Sequence, residues 1–159
     1  MPDHDSSGDS SGKTAVIFIG IPASGKSTFF HCYFEGVCEH INLDTLHTRK
    51  REHSAVESCI AEGKSFVVDN TNPTKEDRQR YFPAAKAAGY RVVAYFFQSK
   101  LSDCIARNAK RNGKGKVPEV ALAAISSKLE LPETKEGFDE IFFVRIEGSG
   151  FVTELWKED

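Results

Sequence analysis

An α/β domain with a parallel sheet and helices on both faces is the fold class this sequence predicts. Short apolar runs alternate with longer segments of helical spacing, the pattern of strands buried on both faces and joined by crossover helices. Turn and cap residues fall between the runs where such connections need them. The residues that could carry chemistry also sit at the ends of the apolar runs, where parallel sheets gather ligands.

Taken in order, Val16 to Ile19 reads as the first strand, followed by a glycine-bearing loop and a helix opening at Lys26-Ser27-Thr28. His40 to Leu43 reads as a second strand that ends at Asp44. Val56, Cys59 and Ile60 have helical spacing, which predicts a helix over Thr45 to Ala61, with Gly63 as its C-cap. Phe66-Val67-Val68 is a third strand, ending in Asp69-Asn70-Thr71-Asn72-Pro73. Thr74 then caps a helix predicted to run to Ala88, with Asp77 at the capping-box position and Gly89 just beyond. Arg91 to Phe97 is a fourth strand. A helix from about Ser99 to Arg111 follows, with Leu101, Cys104, Ile105 and Asn108 on its inner face, and another starts at Pro118. Ile141 to Val144 is a fifth strand. These boundaries predict an N-terminal disordered tail at 1–13, one domain at 14–150 and a C-terminal tail at 151–159.

At 159 residues the chain holds one ordinary domain, and 40% hydrophobic content suffices for its core. A net charge of -2 gives no global attraction to nucleic acid, so any such contact must come from a local cluster. The four cysteines lack paired-ligand spacing and the density of a secreted scaffold, which predicts reduced thiols in a cytoplasmic compartment. No segment reads as a signal peptide or a membrane span.

The strongest motif is Gly20-Ile21-Pro22-Ala23-Ser24-Gly25-Lys26-Ser27, a complete match to G-x-x-x-x-G-K-[ST] between a strand and a helix. Glycines let backbone N–H groups curl round phosphates, the lysine reaches the terminal phosphates and the serine hydroxyl serves Mg2+. Gly20, Ala23, Ser24, Gly25, Lys26, Ser27 and Thr28 are therefore the predicted nucleotide-binding residues, with ATP and Mg2+ as cofactors. No N-K-x-D-like segment for reading guanine is present, and the chain leaves no room for a lever domain. Both facts favour transfer to a hydroxyl acceptor over GTPase or mechanical ATPase activity.

Asp44 can cap the next helix or accept the acceptor's hydroxyl proton. Asp69 can hold Mg2+ with Ser27, orient the site or merely open a turn. From Arg107 to Lys116, five basic residues fall in ten positions with no acid among them. A solvated helix end would explain such a run. Arg107 and Arg111, four apart on one predicted helical face, also suit a lid that clamps the transferring phosphoryl group. Arg49 belongs to a second basic cluster near Asp44, and His47 is the only histidine near the proposed chemistry.

Four blocks in order, Gly20 to Thr28, Ile41-Asn42-Leu43-Asp44-Thr45-Leu46, Val68-Asp69-Asn70-Thr71-Asn72-Pro73, and Arg107-Asn108 through Val117-Pro118, resemble the kinase domain of polynucleotide 5′-hydroxyl kinases. The resemblance covers about Thr14 to Glu147. It implies a P-loop NTPase fold with a five-stranded parallel sheet in the order 2-3-1-4-5. It also implies Asp44 as general base, Lys26, Arg107 and Arg111 on the ATP phosphates, and a nucleic-acid 5′-hydroxyl as acceptor. Asp44, His47, Arg49, Asn70 and Asn72 are the acceptor-side candidates. The sequence departs from that family at Leu43, where its bacteriophage and animal members carry an arginine, and at His47, where the bacteriophage member does. A small hydroxyl-bearing metabolite or nucleoside therefore remains an alternative acceptor, and a non-catalytic nucleotide-binding module a further alternative.

Overall fold

The computed structural model describes residues 12–158; most of the predicted N-terminal tail, residues 1–11, lies outside them. Six strands form one sheet in the order β2-β3-β1-β4-β5-β6. The strands are β1 (Thr14–Ile19), β2 (Glu39–Ile41), β3 (Phe66–Asp69), β4 (Arg91–Phe97), β5 (Glu140–Glu147) and β6 (Gly150–Leu155). The first five run parallel, as predicted, with Ala15 opposite both Phe66 and Val92. β6 is antiparallel to β5 and is added to that prediction.

Strand β6 thus falls almost wholly in the stretch 151–159 that the sequence reads as a tail; residue 159 lies outside the described residues. The chain reverses through Gly148-Ser149, with Glu147 paired to Gly150 and Gly148 at φ 62°. Glycine at the first position of a two-residue turn matches the twist of a hairpin and permits immediate pairing. Phe151 then packs edge-on against Phe29 with ring centroids 5.1 Å apart, and Trp156 packs on Phe96 on the opposite face.

Alternation along the strands divides the core between the faces. Val16, Phe18, Val93, Tyr95 and Phe97 pack with Phe29, Phe30 and Phe34 of and just after α1 (Lys26–Tyr33). Ala15, Ile17, Ile19, Val92, Ala94 and Phe96 face the other side. There they meet Val56 and Cys59 of α3 (Arg49–Glu62), whose predecessor α2 spans Leu43–Leu46. The single helix predicted over 45–61 is split because His47 adopts φ 72° and Thr48 caps α3 by accepting from Arg51 N. Gly63 ends α3 in the left-handed conformation, as expected.

Thr74 caps α4 (Lys75–Gln79), accepting from Asp77 N, but the predicted helix to Ala88 breaks at Arg80-Tyr81 before α5 (Phe82–Ala87). The break accompanies full burial of Arg78, whose guanidinium makes two 3.0 Å contacts to the Glu136 carboxylate and donates through Nη1 to Asn72 O. α6 (Leu101–Asn108) and α7 (Glu119–Lys128) complete the fold. Cys104 and Leu122, one from each, pack with Ile21 and Ala23 beneath the glycine-bearing loop.

Glu136→Ala should destabilise the domain by about 3–5 kcal/mol, because it leaves the Arg78 charge buried without its partner. Equilibrium denaturant unfolding beside the parent chain measures this, with a loss under 1 kcal/mol contradicting the packing described (about the worth of an exposed pair).

Candidate active site

The loop from Gly20 to Ser27 leaves β1 at the carboxyl edge of the sheet and enters α1. Gly20 is required by close approach, since a Cβ there would lie 2.7 Å from Ser24 Oγ and 3.0 Å from Phe97 Cβ. Gly25 precedes the helix at φ 99°, where a Cβ would also press on Ile146 and Phe151 at 3.1 Å. The predicted C-terminal tail is therefore a wall of the loop. Ala23 also takes positive φ, 68°, and no side chain caps α1. The first N–H groups of α1 and the helix dipole are thus left for an anion. Ser24 Oγ is buried in the same loop without a hydrogen-bond partner, a further polar group suited to a ligand oxygen.

Lys26 Nζ donates to the carbonyls of Gly20 and Ile21 at 2.8 and 3.1 Å. Burial lowers its pKa to about 8, offset in part by Asp69 and more weakly by Asp44, while the Arg111 charge lowers it further. One ammonium thus feels both predicted carboxylates and a predicted lid arginine. Ser27 Oγ donates to Asp69 Oδ2 at 2.8 Å, and His40 Nε2 contacts the same oxygen at 2.8 Å. Burial would raise the Asp69 pKa, but the His40 contact, the Lys26 charge and the Ser27 hydroxyl outweigh it and hold the carboxyl below its ordinary value. Thr28 is on the exposed side of α1.

Asp44 is exposed on the first turn of α2. Asn42 fixes that turn, accepting from Asp44 N at 2.8 Å and donating through Nδ2 to Asp69 O at 2.9 Å. Asn70 Oδ1 accepts from Leu43 N, and its Nδ2 donates to Glu52 Oε2 at 2.6 Å. Asn72 is 2% exposed and donates to Phe18 O. Both asparagines, expected from sequence on the acceptor side, fasten loops by pairing with backbone groups, while Asn72 Oδ1 is buried without a hydrogen-bond partner. Arg49 lies near the same turn but donates to Glu52 Oε1 at 2.8 Å and Tyr81 OH at 3.2 Å. His47 is exposed at the end of α2.

Glu52, 2% exposed, accepts from Arg49, Asn70 and Tyr81 and escaped the sequence reading. An acid one turn into an otherwise charged helix looks like surface until its distant partners are known. Asn42 was equally hidden, although a polar residue just before a turn-forming aspartate is a capping signal.

α6 ends at Asn108, so Arg107 and Arg111 do not share a helical face as predicted. The buried Asn108 amide donates to Val117 O at 2.6 Å and accepts from Val117 N at 2.9 Å, which closes the following basic loop at its base. Arg107 Nε donates to Ala23 O at 2.6 Å and so rests on the phosphate loop from the last turn of the helix. Arg111 is exposed in the loop beyond, donating to Gly115 O at 3.0 Å. The structure still gathers Lys26, Ser27, Asp44, Asp69, Arg107 and Arg111 along one edge of the sheet.

A family model described as "AAA domain" matches residues 48–132, more than half of the chain. The bifunctional polynucleotide phosphatase/kinase of Schizosaccharomyces pombe is 30% identical over 131 residues, which cover 79% of this chain and 32% of that protein. The chain spans about a third of the length of the first curated relatives it matches. Among solved structures, Chaetomium thermophilum Kti12 in complex with ADP-AlF3 superposes with a TM-score of 0.62 at 17% identity, covering 82% of this chain and 88% of that one. A gluconokinase from Sinorhizobium meliloti 1021 gives a TM-score of 0.58 at 19% identity, with 85% and 83% covered. Sheet order, phosphate loop and matched family agree: the chain belongs to the AAA domain family and has the P-loop fold of ATP-binding kinases.

Proposed function

We propose that the chain is an ATP-dependent kinase that transfers the γ-phosphoryl group to a hydroxyl of a small metabolite or nucleoside. The observation that carries this reading is the phosphate loop with Lys26 at its mouth, Ser27 bonded to Asp69 and Arg107 resting on Ala23 O, beside the exposed Asp44 and Arg111. Pure nucleotide binding needs the loop and the lysine, whereas an additional exposed carboxylate and loop-borne arginine suit transfer.

In this reading the loop amides and Lys26 hold the β- and γ-phosphates, and Arg107 meets them from α6. The acceptor oxygen attacks the γ-phosphorus, its proton passes to the Asp44 carboxylate, and the bond to the β–γ bridging oxygen breaks to release ADP. Arg111 stabilises charge on the phosphoryl oxygens as they separate. Ser27 and Asp69 suit Mg2+, an oxygen-seeking cation: Ser27 donates its hydroxyl hydrogen bond to Asp69 and so turns its lone pairs outward, while the Asp69 carboxyl is held below its ordinary pKa. When bound, Mg2+ would neutralise part of the phosphate charge.

The small acceptor is favoured by the acceptor-side charge. Arg49, the cation nearest the Asp44 turn in sequence, is paired with the buried Glu52 carboxylate, which reduces the field available to a polyanion. A second reading, transfer to the 5′-hydroxyl end of DNA or RNA, is favoured by the D-N-T-N-P segment and the polynucleotide phosphatase/kinase relative. Labelled ATP with Mg2+, offered to gluconate-type sugars, nucleosides and 5′-hydroxyl oligonucleotides, separates them. Label on oligonucleotides alone selects the second reading, and ATP binding with no labelled acceptor in any class removes both.

Asp44→Asn should bind ATP as the parent does and transfer about 10²–10⁴-fold more slowly, since an amide cannot take the proton. Nucleotide titration and single-turnover transfer on one preparation decide it; near-parent transfer leaves Asp44 as no more than an acid in the first turn of α2, which Asn42 already caps.

ATP affinity should weaken as pH rises through about 8, where the free Lys26 ammonium loses its proton. Phosphate oxygens favour the charged lysine and raise its pKa on binding, so above pH 8 binding takes up a proton. Calorimetry in buffers of different ionisation enthalpy should detect that uptake, and Lys26→Met should abolish it.

A further inference from the structure

His40 is outside every sequence motif and has no role in the transfer just described, yet it reaches the end of β3. It occupies the middle of β2, an edge strand, where alternation sends its neighbour Ile41 into the core beneath α3 and His40 toward α1. There its ring stacks on Phe30 of α1, with centroids 3.9 Å apart and planes 13° from parallel. His31, itself bonded to Glu35 at 3.0 Å, meets the ring edge-on at 5.8 Å. The His40 side chain is 28% exposed and that of Asp69 2%, so the contact between them is shielded on the carboxylate side.

Two donors therefore converge on Asp69 Oδ2, the Ser27 hydroxyl and His40 Nε2, each at 2.8 Å. A carboxylate held by one donor can swing about its χ2 axis, whereas two donors from separate elements define its plane. The Phe30 stack in turn fixes the imidazole to the helix that carries Ser27, so α1, β2 and β3 form a closed triangle around one oxygen. Ser27 can present its lone pairs in a constant direction only if the oxygen accepting its proton stays put. Partners of this kind, one step removed from a cation's own ligands, commonly tune its affinity.

We infer that His40 is a positioning residue that holds Asp69, and through it Ser27, in the orientation that binds Mg2+ with the nucleotide. The inference rests on the Mg2+–ATP reading given above. His40 touches neither phosphate nor acceptor in this role, and its Nε2–H supplies the donor to the Asp69 carboxylate.

The experiment is ATP binding by calorimetry in EDTA and in Mg2+, on the parent chain, His40→Phe, His40→Leu and His40→Gln, each checked by a thermal melt. Phenylalanine keeps a ring on Phe30 and removes the donor; leucine removes both, as a second folded variant should phenylalanine not be tolerated. Glutamine returns an N–H at the reach of Nε2. All variants should match the parent in EDTA. The Mg2+-dependent gain in ATP affinity should fall roughly 10–100-fold in the Phe and Leu variants and recover most of that loss in the Gln variant. A parent chain with no Mg2+-dependent gain overturns the kinase reading itself. A parent gain that persists in His40→Phe or His40→Leu overturns only the role of His40, as does a His40→Gln variant that loses as much as His40→Phe.

Discussion

Every element of the candidate site is tied to the backbone and side chains at the end of β3. Asp69 O accepts from Asn42, which caps the Asp44 turn, and Asp69 Oδ2 accepts from Ser27. Asn70 joins Leu43 N to the buried Glu52 of α3. Thr71 O accepts from Gly20 N at the mouth of the phosphate loop, and Asn72 bridges Phe18 O and the Arg78 guanidinium. Pro73 O accepts from Glu130 N, which anchors the chain after α7. Buried polar groups must find partners, and here nearly every partner belongs to a different functional element. Displacing this one segment would move the phosphate loop and the proposed base together.

That arrangement gives the asparagines of D-N-T-N-P a structural task in fastening loops, whatever their part toward an acceptor. Asn72 sits at φ 46°, a conformation that asparagine tolerates better than most residues, and its amide is buried. The residue types follow from backbone geometry and satisfaction as much as from chemistry. A distinctive motif on a ligand-binding edge suggests a substrate role when only the sequence is read, and the hydrogen-bond partners add a structural one.

The parallel core was legible because apolar runs such as Phe66-Val67-Val68 have little freedom to be anything but buried strands, and the phosphate-loop motif carries its own geometry. The strand order came from family resemblance, since periodicity cannot tell which strands are neighbours. The breaks at His47-Thr48 and Arg80-Tyr81 were missed because the helical spacing continues across both. Thr48 and the wholly buried Arg78 decide them through a cap and a long-range pair with Glu136. The sixth strand fell mostly within the stretch read as a tail; its placement rests on contacts distant in sequence, Phe151 on Phe29 and Trp156 on Phe96. Sequence gives local tendency, and each of these features was set by a partner far along the chain.

The basic segment divides into a fixed part and an exposed part, and the division follows from where hydrogen bonds are invested. Arg107 is fastened to the Ala23 carbonyl, and Asn108 closes the base of the loop by pairing twice with Val117. Ile21 and Ala23 of the phosphate loop pack against Cys104 of α6 and Leu122 of α7, so the base of the loop and the phosphate loop share one small core. Beyond that base, Arg111 is exposed, and its guanidinium donates to the nearby Gly115 carbonyl, while its charge still reaches Lys26. Moving Arg111 costs one exposed hydrogen bond, whereas moving Arg107 disturbs the loop it rests on. If the segment acts as the proposed lid, this division would let it redirect a cation over the phosphates without loosening the loop that binds them.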